Sequence, residues 1–360
     1  MPVELVSAEE AMALMMHNDG LSCIIDARSE DEFALDHLPS ALNWPSLTNE
    51  ERIKVGTLYK QVGAFEANKL GASLVAANIA KHIEKYVMDL PKTWRPLVYC
   101  WRGGKRSGSL ALVLGQIGFK VNVIEGGYKA FRAAVVQQTS QLALSLQFKV
   151  VTGPTGSGKT RLLHALAAEG AQVLDLEALA VHRSSVLGRI PGQSQPSQKQ
   201  FDMRVWNTLR QFDPSQVVYV EAESKKVGNV SVPETLMETM RASQCIDLIL
   251  PFEERVELLM EDYAFFSQDP EQFCNRLTTL IEARGKVVIE QWQSLVHSGH
   301  IRQVVQELLS EHYDPTYARS VERNFRCWPD ALKVELKDHH AASLQALAKQ
   351  LIAQTNQIPA

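Results

Sequence analysis

Two short segments of this chain space their residues for anion chemistry. The first reads Cys100-Trp101-Arg102-Gly103-Gly104-Lys105-Arg106-Ser107, and the second Gly153-Pro154-Thr155-Gly156-Ser157-Gly158-Lys159-Thr160. Each follows an apolar run with strand character and precedes a segment with helical spacing. Backbone N–H groups converge in such a turn, and the helix N-terminus adds positive potential. Beside Cys100, the side chains of Arg102, Lys105 and Arg106 add full charges. The thiol pKa should therefore fall, and the thiolate is the nucleophilic form. The same donors can hold a tetrahedral oxyanion against the sulfur. Catalytic roles are expected for Cys100, Arg102 and Arg106, with Trp101 packing on the loop wall. The alternative is a buried structural cysteine followed by a basic turn.

The second segment fits G-x-x-x-x-G-K-[ST] in full and in the strand–loop–helix context that motif requires. Gly153, Thr155, Gly156, Ser157, Gly158, Lys159 and Thr160 are the expected diphosphate ligands. Lys159 would neutralise charge, and the Thr160 hydroxyl can ligate Mg²⁺. The motif recognises a diphosphate, not a nucleoside. Carboxylates that assist the ion should end an apolar strand. Val217–Val220 runs into Glu221 and Glu223, and Asp175 with Glu177 ends a neighbouring run. For each, a solvated strand end is the plain alternative. His182, Arg183 and Arg189 follow and are candidates to face phosphate.

Stepping outward, the elements that position these loops alternate. Cys23–Asp26, Leu97–Tyr99 and Val121–Ile124 read as buried strands, and Ser107–Ile117 as a helix ended by Gly118. Val150–Thr152, Gln172–Asp175, Val217–Val220 and Ile246–Leu250 supply a second strand set. This alternation predicts parallel α/β sheets. Ile190–Gln200, rich in Gln, Ser, Pro and Gly, reads as a mobile loop. After Pro251 the pattern is mostly helical. The expected division is residues 1–136, a linker over 137–148, a second α/β domain over 149–330, and a helical tail over 331–360.

The 360 residues exceed one ordinary core, and 45% apolar content is enough for two. A net charge of -4 excludes a global field attracting nucleic acid, so any RNA contact needs local basic patches. Five scattered cysteines without C-x-x-C spacing argue against a disulfide framework, a zinc knuckle or any dedicated structural metal site. No leader-like N-terminus and no membrane-length apolar run is visible, so a cytoplasmic location without membrane partners is expected.

Several motifs join the cysteine loop in a recognisable order: Asp26-Ala27-Arg28, Glu32-Phe33, His37-Leu38-Pro39-Ser40-Ala41 and Ile124-Glu125-Gly126-Gly127-Tyr128. Together they resemble a rhodanese domain. That resemblance implies a persulfide or perselenide carried on the loop cysteine, with Asp26, Arg28 and His37 as scaffold. The five residues between Cys100 and Arg106 depart from the usual small-rhodanese loop and match the cysteine phosphatases, although Tyr99 stands where many of those have histidine. The whole succession continues with the P-loop, Asp175-Leu176-Glu177, His182-Arg183, Gln195-Pro196-Ser197-Gln198 and Glu221-Ala222-Glu223-Ser224. It resembles the tRNA 2-selenouridine synthase family. The implied architecture is an N-terminal rhodanese-like parallel sheet with helices, then a P-loop NTPase-like α/β domain with a helical C-terminal region.

The resemblance implies geranylation of wobble 2-thiouridine in tRNA from geranyl diphosphate. Selenium then enters from selenophosphate through a Cys100 perselenide, with phosphate released. Geranyl diphosphate and selenophosphate are the implied co-substrates, with Mg²⁺, and a selenophosphate-producing enzyme is an implied partner. Assigning geranyl diphosphate to the P-loop is a hypothesis on charge grounds. Candidate tRNA or phosphate contacts are His182, Arg183, Lys225, Lys226, Arg319 and Arg323, with Lys199, Arg204 and Arg326 beside them. A solvated charged face is the alternative. Phe265, Phe266 and Trp292 either line a geranyl pocket or pack the core. Three rival functions stay open: a thiosulfate sulfurtransferase joined to a nucleotide-hydrolysing kinase-like domain, a cysteine phosphatase, and a non-catalytic nucleotide-sensing module.

Overall fold

The computed structural model describes residues 3–17, 20–183, 188, 190, 192–264 and 269–355. Two compact units form, Met1–Gln138 with Asp202–Asn207, and Thr139–Phe201 with Thr208–Ala360.

The first unit holds β1 (Val3–Val6), β2 (Cys23–Asp26), β3 (Ala41–Asn43), β4 (Pro96–Tyr99) and β5 (Val121–Ile124). They form one parallel sheet in the order β1-β5-β4-β2-β3. β4 and β5 are buried at every position, as expected of parallel strands covered on both faces. Ile25, Val98 and Val123 meet Leu110 and Leu114 of the helix Lys105–Ile117 in the core. That helix ends at Gly118, whose φ of 115° is left-handed, as its residue type predicts.

The second unit holds β6 (Gln147–Thr152), β7 (Gln172–Leu174), β8 (Val217–Glu221), the hairpin strands β9 (Lys226–Val227) and β10 (Val230–Ser231), β11 (Gln244–Ile249) and β12 (Cys327–Glu335). Its main sheet is parallel in the order β12-β11-β6-β8-β7. β4 and β6 thus occupy the central position of their sheets. Each launches its anion loop from a carboxyl end, where open α/β sheets bind ligands.

Three differences from the sequence reading have physical reasons. The expected linker is helical, since the helix Gly127–Ser145 continues through most of it to β6. The expected tail begins inside β12, an edge strand whose mixed polarity and Pro329 hide its period. Leu344, Leu347 and Leu351 of the helix Ala341–Thr355 share a core with Leu162, Leu163 and Leu166, so that segment completes the second unit. Third, the expected mobile loop includes two anchors. Gln195 bonds the carbonyls of Ala180 and Val227 and the amide of Asn229. Gln198 bonds Ser231 through both its carbonyl and its amide. These side chains fix the β9–β10 hairpin. Arg189, Phe265 and Phe266 lie outside the described residues.

Candidate active sites

Cys100 follows β4 directly and is only 3% exposed. Its loop is braced by the strand-to-helix turn after β5. Tyr128 N–H donates to the Cys100 carbonyl at 2.8 Å, and Lys129 N–H to that of Trp101 at 3.1 Å. Trp101 stacks on Tyr128 with centroids 5.4 Å apart, which is the wall packing expected of it. Gly127, at φ 59°, permits this approach, because an added Cβ would meet the Cys100 carbonyl oxygen at 2.3 Å.

The sulfur environment decides its protonation. Burial by itself pushes the thiol up. The Ser107 hydroxyl donates to Sγ at 3.1 Å, the amides of Ser107 and Arg102 add to it, and the Arg106 charge helps. The donors win, and the Cys100 pKa lies below the ordinary thiol value. Other cysteines show the contrast. Burial pushes Cys23 up to about 11 despite a Trp94 contact, and pushes Cys245 up to about 12. Ser107 is the functional residue that sequence reasoning passed over, although it lies in the first turn of the helix after the loop.

Removing that hydroxyl should be visible directly. In Ser107→Ala the midpoint of thiolate ultraviolet absorbance, read as the difference from Cys100→Ser, is expected to move to higher pH, by analogy with the loss of one hydrogen bond to a charged group. An unchanged midpoint would refute the role of Ser107.

The two arginines differ. Arg102 offers its amide to the sulfur while its residue is exposed. Arg106 places its guanidinium 2.8 Å from Glu32, whose carboxyl is lowered: burial opposes this, and Arg106 outweighs it with help from Ser29 and Arg52. Asp26 and Arg28 form a buried ion pair at 2.6 Å, and Arg28 also donates to the Asp36 carbonyl. Tyr128 donates to Asp36 at 2.6 Å, and His37 bonds the Phe33 carbonyl at 2.9 Å. These contacts bind the strand ends to one another and do not touch the sulfur.

In the second unit the P-loop leaves β6 at Gly153, whose φ is 145°. A Cβ there would meet Ser157 Oγ at 2.5 Å and the Leu248 carbonyl at 2.7 Å. The Ser157 hydroxyl is fully buried and has no protein hydrogen-bond partner, which suits an anionic oxygen in the cradle. Lys159 donates to the Gly153 and Pro154 carbonyls at 2.7 and 3.3 Å. Two distant residues hold the loop from outside. Tyr317 Oη accepts from Gly153 N–H at 2.6 Å, and Arg255, paired with Asp314, donates to the Thr155 carbonyl at 2.7 Å. Neither carries a local signal in the sequence.

Glu177, Glu221 and Glu223 bring carboxylate oxygens within 4.8 Å of one another. Thr160 donates to Glu177 and Glu221, each at 3.2 Å. Burial raises the Glu221 pKa well above the usual carboxylate range, reinforced by Glu177, Glu223 and Asp175 and opposed by Lys159. The crowding leaves negative charge that a divalent cation could neutralise, and the hard oxygen donors suit Mg²⁺. Asp175 does not join this trio. It caps the helix Leu176–Ala180 through the Ala178 amide and also accepts from His164 at 3.0 Å. Glu177, in the first turn after the cap, takes the place expected for Asp175.

A cavity of about 320 Å³ opens from the P-loop. Lys159, Thr160, Glu177 and Glu223 line it with polar groups, and Leu258, Leu259, Tyr263, Val321 and Phe325 supply apolar wall. Arg183, a candidate tRNA or phosphate contact, lines this cavity, with its guanidinium 4.8 Å from the Tyr263 ring and donating to the Asp262 carbonyl. His182 is half-buried beside it, its amide bonded to the Glu177 carbonyl. Lys225 and Lys226 are exposed, Lys225 lying 3.8 Å from Glu234. Arg319 and Arg323 are exposed one helical turn apart on Asp314–Asn324. Trp292 is buried with Phe273 and Leu277 and donates to Glu307 at 2.7 Å, so it packs the core.

Comparison with known proteins gives two family matches: a rhodanese-like domain over residues 7–134, and the tRNA 2-selenouridine synthase AAA domain over residues 146–284. Curated relatives called tRNA 2-selenouridine synthase match along the chain. One from Shewanella piezotolerans is 30% identical, covering 96% of this chain and 99% of the relative. One from a Sulfurovum species is 30% identical over 89% and 94%. One from Nitrosomonas europaea is 37% identical over 67% of this chain, and that alignment spans 63% of the relative's length. Among the described residues, no helix is long and apolar enough to cross a membrane.

Proposed function

Because this chain belongs to the tRNA 2-selenouridine synthase family, we propose that it replaces sulfur by selenium in tRNA wobble 2-thiouridine. Two steps use its two anion sites. The observation that carries this reading is the pairing of a thiolate-stabilising loop at Cys100 with a P-loop cavity that is partly lined by hydrocarbon.

In the first step the P-loop holds geranyl diphosphate. The thiocarbonyl sulfur of the base bonds to the allylic carbon as the carbon–oxygen bond to diphosphate breaks. The base loses its ring N–H proton to solvent, and diphosphate leaves with the bonding pair. Lys159 and the loop N–H groups stabilise that leaving charge. A Mg²⁺ held by Thr160 and the glutamate trio would supply further neutralisation. The apolar wall keeps water from the allylic carbon.

In the second step selenophosphate occupies the Cys100 cradle. The thiolate attacks selenium, giving Cys100–S–Se⁻. For electrons to balance, phosphorus must leave as phosphite, correcting the phosphate product expected from the resemblance. The perselenide then adds at C2 of the base and geranylthiolate departs. Two equivalents of a thiol reductant cleave the S–Se bond, leaving as their disulfide and returning Cys100 as the thiol. Direct attack on C2 by selenophosphate, followed by Se–P hydrolysis, needs no reductant and releases phosphate. Exposed Arg319, Arg323, Lys225 and Lys226 are the proposed phosphate contacts of the tRNA.

The test uses the purified protein with 2-thiouridine tRNA. With geranyl diphosphate and Mg²⁺, nucleoside mass analysis should show the S-geranyl form. Adding selenophosphate and a thiol should convert it to 2-selenouridine, with phosphite marking the Cys100 route and phosphate the direct one. No nucleoside change, with thiosulfate-dependent sulfur transfer and ATP turnover instead, would refute the reading.

A further inference from the structure

The P-loop cavity has a side chamber. Thr155, Leu259, Tyr263 and Tyr313 line both the 320 Å³ cavity and a smaller one of about 30 Å³. Phe273, Val305, Leu308 and Leu309 complete the smaller one. Phe273, Leu308 and Leu309 are buried within the second unit. Its lining is almost entirely hydrocarbon, so it suits an apolar group better than water. A nucleotide base would find few hydrogen-bond partners there.

The stretch Leu308–Tyr313, which carries two of the lining leucines, is a π-helix, a rare widened turn that recurs at functional sites. Both Leu308 and Leu309 line the chamber, and Tyr313 closes the same stretch.

Building on geranyl diphosphate as the P-loop ligand, we propose that this chamber is the floor of the prenyl site and sets the length of the tail. The diphosphate sits in the cradle, the tail runs along Leu259 and Tyr263, and its terminal methyl groups end against Phe273, Val305 and Leu309. One further isoprene unit has no room. Deepening the floor should admit a longer tail, and raising it should demand a shorter one.

The test compares dimethylallyl, geranyl and farnesyl diphosphates as donors in S-alkylation of 2-thiouridine tRNA. Leu309→Ala is expected to raise the farnesyl-to-geranyl rate ratio about tenfold or more, and Val305→Phe to raise the dimethylallyl-to-geranyl ratio similarly. Binding of inorganic diphosphate, which needs only the cradle, should match the parent protein in both and certifies the fold. Should one variant misfold, the other decides, because the two shifts have opposite directions. Unchanged ratios in a folded variant, with geranyl transfer intact in the parent, would overturn the floor while leaving the function standing. Absence of prenyl transfer by the parent itself would overturn the function, and the floor with it.

Discussion

Replacing Cys100 by serine is expected to cut 2-selenouridine formation on the order of a thousandfold or more and to leave the S-geranyl nucleoside as the end product. The reason is chemical. Serine keeps the size of the side chain and can still meet the Ser107 hydroxyl and the loop amides, so the cradle should survive. An alcohol stays protonated at neutral pH, and it cannot carry selenium as the thiolate does. Geranyl transfer draws on the other unit's P-loop and should continue. Mass analysis of wobble nucleosides from cells carrying the variant reads both products at once. Selenouridine at the parent level would remove Cys100 from the reaction and favour direct attack by selenophosphate. Loss of both products, with a lowered melting temperature, would indicate collapse of the loop instead.

Lys159→Ala should produce the converse pattern. Geranylation is expected to fall by roughly a hundred- to a thousandfold, the usual cost of deleting one preorganised group facing developing charge. Lys159 also opposes the crowding of Glu221, Glu177 and Glu223, so its loss should weaken the cradle for diphosphate as well. tRNA that already carries the S-geranyl group should still be converted to selenouridine, because that step belongs to Cys100. Single-turnover assays with each tRNA separate the two outcomes. Intact geranylation with failed selenation would reverse the assignment of sites. Protons compete with a cation at Glu221, whose pKa is raised by burial and then by its glutamate neighbours. The concentration of Mg²⁺ needed for half-maximal geranylation should therefore rise as pH falls.

The sequence alone determined the two anion loops, the strands that launch them and the parallel α/β class. These features are local. A glycine-rich turn between strand and helix has fixed spacing, and its N–H groups converge wherever it folds. The edges were less legible: β12 shows no clean alternation, and the helix through Ser145 lacks a strong period.

Only the tertiary structure decided which side chains meet. It placed Ser107 on the sulfur, set Glu177 in the carboxylate trio while Asp175 caps a helix, and turned Arg183 into the cavity. It brought Tyr317 to Gly153 across 164 residues and gathered Phe273, Val305 and Leu309 into one chamber. Such meetings depend on how whole elements pack, and packing is a property of shape and volume summed over the core, which no short spacing of residues encodes.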